Sequence, residues 1–186
     1  MNVYSIALFL HVVGTLGFFV ALGLEWTGLW QIGSATTSEL VRAWMRISKS
    51  VRRLGIASML MTLVSGFYMM ATVWGGVGWI IVTLGALILG VVLMLALTGP
   101  RMAAIGRALT TERGPVSHTF QNLANNPILW ISIQTRVAIA LGIVFLKTAK
   151  PDLGGSLLII GVAIVLGLAS ALPVPRRERA QEGSAD

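Results

Sequence analysis

Five long apolar stretches, nearly bare of charge, constrain this chain more than any other feature. They run over Val3–Leu24, Leu54–Val73, Val77–Thr98, Leu129–Leu146 and Gly155–Leu172. A helix crossing a bilayer needs about 20 mostly apolar residues. Each stretch reaches that length or nearly so. Backbone polar groups find no partner in lipid, so each stretch is expected to be helical. Only 11% of the residues are charged, against 55% hydrophobic, whereas a soluble domain carries about 25% charged residues. Such a chain cannot cover a globule with polar surface, which excludes a soluble enzyme. The expected fold is all-α: a polytopic helical bundle with five transmembrane helices. One membrane domain is expected over residues 1–174, with a disordered polar tail over 175–186. The first stretch lacks a basic leader and is too long for a cleaved signal peptide.

The fourteen Lys and Arg residues are placed unevenly. Arg42, Arg46, Lys49, Arg52 and Arg53 lie between the first two spans, Arg101, Arg107 and Arg113 between the third and fourth, and Arg176, Arg177 and Arg179 after the fifth. The alternate connections hold only Lys147 and Lys150. Basic residues stay on the cytoplasmic side. This places the N-terminus outside and the C-terminus inside. The net charge of +7 is then mostly topology. The basic residues are scattered over three segments without a binding motif, so nucleic acid is not an expected partner. Trp26, Trp30 and Trp130 fall at the expected inner interface, and Trp74 and Trp79 at the outer one.

Thr36-Thr37-Ser38-Glu39 reads as a capping box. The helix it opens carries Leu40, Val41, Trp44 and Met45 on one face and Arg42, Arg46, Lys49 and Arg53 on another. An amphipathic helix lying on the inner surface is expected, with those four cations on anionic headgroups. A second amphipathic turn follows Gly99-Pro100, with Met102, Ile105 and Leu109 at helical spacing. Gly114-Pro115 ends it. The Trp74–Trp79 and Lys150–Asp152 connections are short enough to force antiparallel hairpins.

With no cysteine, disulfides, thiolate metal sites and CxxC redox chemistry are excluded. With only two histidines, a multi-histidine metal cage is excluded as well. No P-loop, GxGxxG, GxSxG or HExxH is present, and no acidic residue lies at mid-membrane. Ionisable groups inside a bilayer are costly and mark function by default. Two lie well inside the spans, His11 and Arg136, while Glu25 and Lys147 lie at span ends. His11 sits ~10 Å below the outer end of its span. Its ring can ligate haem iron or another metal, relay a proton, or hydrogen-bond a neighbouring helix. Gly14 and Gly17 leave room beside it for a backbone or a flat ligand. Glu25 follows His11 by 14 residues, within about 40° of the same helical face and ~21 Å along the axis. It is either an exposed interfacial carboxylate or a partner for Arg136. Arg136 has three readings: a structural ion pair with Glu25, a site for a propionate or substrate carboxylate, or snorkelling to the headgroups. Met69 lies near the level of His11 and is a candidate axial ligand, while Met59 and Met61 diverge by about 200° and suit packing. His118 reads as an exposed loop histidine.

The stretch Tyr4-Ser-Ile-Ala-Leu-Phe-Leu-His11-Val-Val-Gly-Thr-Leu-Gly-Phe-Phe-Val-Ala-Leu-Gly-Leu-Glu25 resembles the first helix of a group of small bacterial membrane proteins. The group holds the copper-resistance D proteins, the HemJ-type protoporphyrinogen oxidases and uncharacterised relatives. The shared pattern is Leu-His-(Val/Ile) on the first span, followed by small and aromatic residues. The resemblance implies a compact helical bundle in the inner membrane of a bacterium, and b-type haem held through His11. Phe18 or Phe19 stands near the Trp of the HemJ-type pattern, and Glu25 replaces its basic character. Ile133-Gln-Thr-Arg136 and Lys147-Thr-Ala-Lys-Pro-Asp152 are most similar to the uncharacterised relatives.

Three functions remain open at the level of sequence. One is a haem-binding or redox-related protein with His11 as ligand and Arg136 on a propionate. The second is a non-enzymatic accessory subunit docked on a larger membrane complex, or a homo-oligomer. The third is a small-molecule or ion permease, with Thr15, Ser58, Thr62, Ser65, Tyr68 and Thr83 as its sparse polar lining.

Overall fold

A computed structural model of the protein describes residues 2–171. The tail expected over 175–186, with its three arginines, lies outside the described residues. Among those described, the chain is helical throughout its regular elements, and five helices are long and apolar enough to cross a membrane. The elements are α1 (Val3–Ser34), α2 (Ser38–Met69), α3 (Gly78–Leu93), α4 (Gly99–Ala108), α5 (His118–Ala124), α6 (Pro127–Ala149) and α7 (Leu153–Ser170).

The helices overrun the apolar stretches that announced them. Hydropathy marks where lipid would end; a helix ends where capping and backbone chemistry stop it. Between Glu25 and Ser34 no proline interrupts α1, which continues for 32 residues, about 48 Å at 1.5 Å per residue. That exceeds the roughly 30 Å of bilayer hydrocarbon. The amphipathic segment expected to lie flat on a membrane surface is instead the first half of α2, continuous with the second span through Gly55. The residue that caps it is Thr37, whose hydroxyl accepts from Leu40 N–H at 3.4 Å, one position later than the capping box suggests. Gly99-Pro100 does not separate α3 from α4 either. The chain passes through a π-helical turn, Met94–Thr98, directly into α4. Proline is tolerated there because it occupies the first turn of α4, where its missing N–H is no loss.

The overrunning ends pack together into a core of their own at the arginine-rich end. Ile32, Val41, Ile105, Phe120, Leu129 and Ile133 are its most buried members, drawn from α1, α2, α4, α5 and α6. The two loops there are stitched: Ser38 N–H donates to Gly114 C=O at 2.9 Å, and Val116 N–H to Thr36 C=O at 3.0 Å. Arg42 adds bonds to the carbonyls of Leu109 and Glu112 and to Ser38 Oγ. Of the four cations expected on headgroups, Arg42 thus holds protein acceptors, while Arg46, Lys49 and Arg53 are exposed.

At the opposite end, two tight turns close the α2–α3 and α6–α7 hairpins. Lys150 caps α6 in the left-handed region (φ 47°) and sets its ammonium 4.2 Å from the Trp74 ring. That cation–π contact ties one hairpin to the other. Trp74 meets Trp79 edge to face at 5.9 Å.

Between the two ends the bundle is divided. α1 packs along α2, and α3 packs with α6 and α7. α2 and α3 follow one another in sequence yet hardly touch along their length. α6 is the central element: half of its membrane-length window is buried, against about a fifth for the others.

Candidate functional site

The polar groups of the spans gather into two sets, both between α1 and α6. At the arginine-rich side, Arg136 is 7% exposed. Its NH1 donates to Glu25 Oε2 at 2.9 Å and its NH2 to Glu25 Oε1 at 2.6 Å. The guanidinium fork matches the two carboxylate oxygens, the strongest geometry such a pair has. Nε donates to Ser132 C=O at 3.3 Å, and NH2 also reaches Thr98 Oγ1 at 3.4 Å. The hydroxyl directions follow from what each acceptor can do. A carbonyl only accepts, so Ser132 O–H donates to Leu93 C=O at 3.3 Å. Thr98 O–H therefore donates to Ser132 Oγ at 2.9 Å and accepts from Arg136 on its lone pair. Thr98 is the last residue of the π turn, a distortion frequent at functional sites. The result is one network joining α1, the end of α3 and α6.

The second set lies toward the hairpin turns. His11 Nδ1 is 3.0 Å from Thr62 C=O, so it carries the ring proton and donates it. Nε2, left with its lone pair, is 2.8 Å from Lys147 Nζ and accepts from the ammonium. Ser65 Oγ lies 3.3 Å from Nδ1 while donating to Met61 C=O. A side chain at Gly66 would crowd the imidazole, its Cβ falling 3.0 Å from His11 Cε1. Gly14 serves a similar purpose one turn on: a Cβ there would stand 2.9 Å from Ser58 C=O, so α2's backbone fills the space beside it.

These placements separate residues that the sequence offered as one site. Arg136 and His11 hold different partners at different depths. Arg136 and Lys147 are 11 residues apart on α6, about 17 Å, and Glu25 and His11 are 14 apart on α1, about 21 Å. Both ring nitrogens of His11 have protein partners, so an iron at Nε2 would have to displace Lys147. Met69 is buried near the end of α2. His118 is exposed at the start of α5. Among the described residues no group of three or more His, Cys, Asp or Glu gathers in a metal-holding arrangement. Lys147 is the site residue that hydropathy alone passes over, since it stands at the edge of its span.

Between the two sets lies a cavity of about 270 Å³ with mostly apolar walls. Phe18, Ala21 and Leu22 of α1 line it, with Gly55, Ile56 and Met59 of α2, Leu87 and Gly90 of α3, and Ile139 and Ile143 of α6. Glu25, Arg136 and Thr98 edge it at one end, and Arg52 and Ser48 flank the same mouth. Ile56 of α2 and Leu95 of the π-helical turn that follows α3 are exposed and also line it. The cavity therefore opens sideways between α2 and α3. A chamber of about 40 Å³ adjoins it, sharing Phe18, Met59, Leu87, Ala140 and Ile143, and carries Thr15, Thr62 and Lys147 on its wall.

Fold and site together define an all-helical protein, with five helices fit to cross a membrane and an ion-paired, apolar cleft between its two halves. No family model, no curated protein and no solved structure matches the chain.

Proposed function

We propose that this is a multi-pass membrane protein that takes up an apolar molecule from the bilayer into the cleft between its halves. We place its arginine-rich end in the cytoplasm of a bacterial cell. The observation that carries the reading is the sideways opening between α2 and α3. Helices joined by a tight hairpin turn ordinarily pack along each other. Here they part, and exposed Ile56 and Leu95 lead from the outer surface into an apolar cavity. The cavity's size, about 270 Å³, is just below that of ordinary ligand pockets, roughly 300–1,000 Å³. The two polar sets act as struts. Glu25–Arg136 and His11–Lys147 tie α1 to α6 at two depths, and the Thr98–Ser132 bond ties in α3. Struts of fixed length keep the halves from collapsing onto the space between them.

The test is photolabelling of the full-length protein in lipid nanodiscs with dodecanol bearing a terminal diazirine. Labels are expected on Met59, Leu87 and Ile143. A side chain at Gly90 would enter open space, with no atom within 4 Å of its Cβ, so Gly90→Phe is expected to fill the cleft and remove those labels. Labels confined to outward residues such as Leu157 and Val165, unaffected by Gly90→Phe, would defeat the reading.

A further inference from the structure

We propose that the ligand of this cleft is a single-chain amphiphile with an anionic head, and that Arg52 receives the head. The inference rests on the cleft reading above and adds to it the charge and shape of what is bound.

Three arginines of the bundle are committed to protein acceptors. Arg136 is bound to Glu25, Arg42 to loop carbonyls, and Arg101 to Leu97 C=O at 2.8 Å. Arg52 lines the mouth of the cavity, is exposed, and has no hydrogen-bond acceptor among the described residues. The carboxylate nearest in the lining, Glu25, already gives both oxygens to Arg136. The mouth thus presents one uncompensated positive charge. Arg136 contributes as well. Of its five N–H donors, four are engaged with Glu25, Ser132 and Thr98, which leaves one N–H on NH1 without a protein acceptor.

Position along α2 gives the ligand its polarity. Ser48, Arg52, Gly55, Ile56 and Met59 recur on one helical face of the lining, a spread of about 17 Å along the axis. The cation stands toward the arginine-rich end, and the apolar residues lead inward from it. A head at Arg52 would sit where the apolar stretch begins, the depth of lipid headgroups, with its chain running toward Phe18 and Leu87. One chain suits a cavity of about 270 Å³, just under the size of ordinary ligand pockets, roughly 300 Å³ upward; a two-chain phospholipid does not.

The experiment compares dodecanoate with dodecanol, both bearing a terminal diazirine, at equal mole fraction in phosphatidylcholine nanodiscs holding the full-length protein. A charge-assisted hydrogen bond to Arg52 predicts about tenfold more labelling of Met59 and Leu87 by the carboxylate. Arg52→Gln is expected to erase that preference while leaving dodecanol labelling unchanged, which shows the variant to be folded. Arg53→Gln, an exposed neighbour outside the lining, is expected to keep the preference. Equal labelling by both probes, indifferent to Arg52→Gln, would overturn the anionic head and leave the cleft standing. A preference lost equally in Arg53→Gln would overturn the assignment to Arg52. Failure of both probes to label the cleft would overturn the cleft reading itself, and this inference with it.

Discussion

The Glu25–Arg136 pair makes a sharp prediction because its two members are unequal to lose. Removing one leaves the other buried or half-buried without its counter-charge, which costs about 3–5 kcal/mol. Replacing both by apolar side chains of similar bulk removes the desolvation penalty along with the attraction, and is often close to neutral. Arg136→Met alone is therefore expected to destabilise strongly. The double variant Glu25→Leu/Arg136→Met should recover most of that loss, as read from unfolding in a mild detergent. Additive losses would mean that the two side chains are not energetically coupled. This pair was legible in the sequence as one of three readings for Arg136. The His11–Lys147 contact was also within reach. Lys147 follows Arg136 by 11 residues, about three turns and within about 20° of the same face. His11 and Glu25 share a face of α1 in the same way. Two antiparallel helices with matched faces pair Glu25 with Arg136 and His11 with Lys147. The residue types of the site could be read; which groups would satisfy His11 could not, because Thr62 C=O and Ser65 come from a helix whose rotation the sequence does not fix.

At the scale of elements, the apolar stretches located all five membrane-length helices but misjudged where they stop. The flat surface helix expected from the arginine face of residues 36–53 belongs to a continuous α2, whose Val41 and Trp44 pack into the core at the arginine-rich end. Amphipathicity says that one face is buried; it does not say whether lipid or protein buries it. Glycines on α1 separate two roles in the same way. A Cβ at Gly14 would stand 2.6 Å from Thr62 Oγ1 and 2.9 Å from both Ser58 C=O and Thr62 N. Two of those atoms are backbone and cannot move aside. Gly14→Ala is expected to push α1 from α2 and destabilise by about 1–3 kcal/mol. At Gly23 a Cβ meets nothing within 4 Å. Gly23→Ala should only improve helix propensity, gaining up to about 1 kcal/mol. Unfolding of both variants in titrated SDS checks the contrast. Equal effects would mean that α1 and α2 are not in the close contact described.

For the whole molecule the deciding quantity is the distribution of charge between its ends. Eleven of the fourteen basic residues fall at or beyond the arginine-rich end in sequence. The two at the hairpin end are turned to local partners, Lys147 to His11 and Lys150 to the Trp74 ring. The proposed orientation, with Lys and Arg retained on the cytoplasmic side, has the α4–α5 loop inside and the α2–α3 turn outside. The proposed ligand depends on this arrangement, since Arg52 would draw an anionic head from the cytoplasmic leaflet and no other. A chain without cysteine allows a clean measurement. Gly76, in the α2–α3 turn, is exposed with open space around it, and Arg113 is exposed in the α4–α5 loop. On intact cells a membrane-impermeant maleimide is expected to label Gly76→Cys at once and Arg113→Cys only after the membrane is permeabilised. The reverse pattern would invert the molecule and move the mouth of the cleft to the outer leaflet. Labelling of both sites in intact cells would show that the five helices do not all cross.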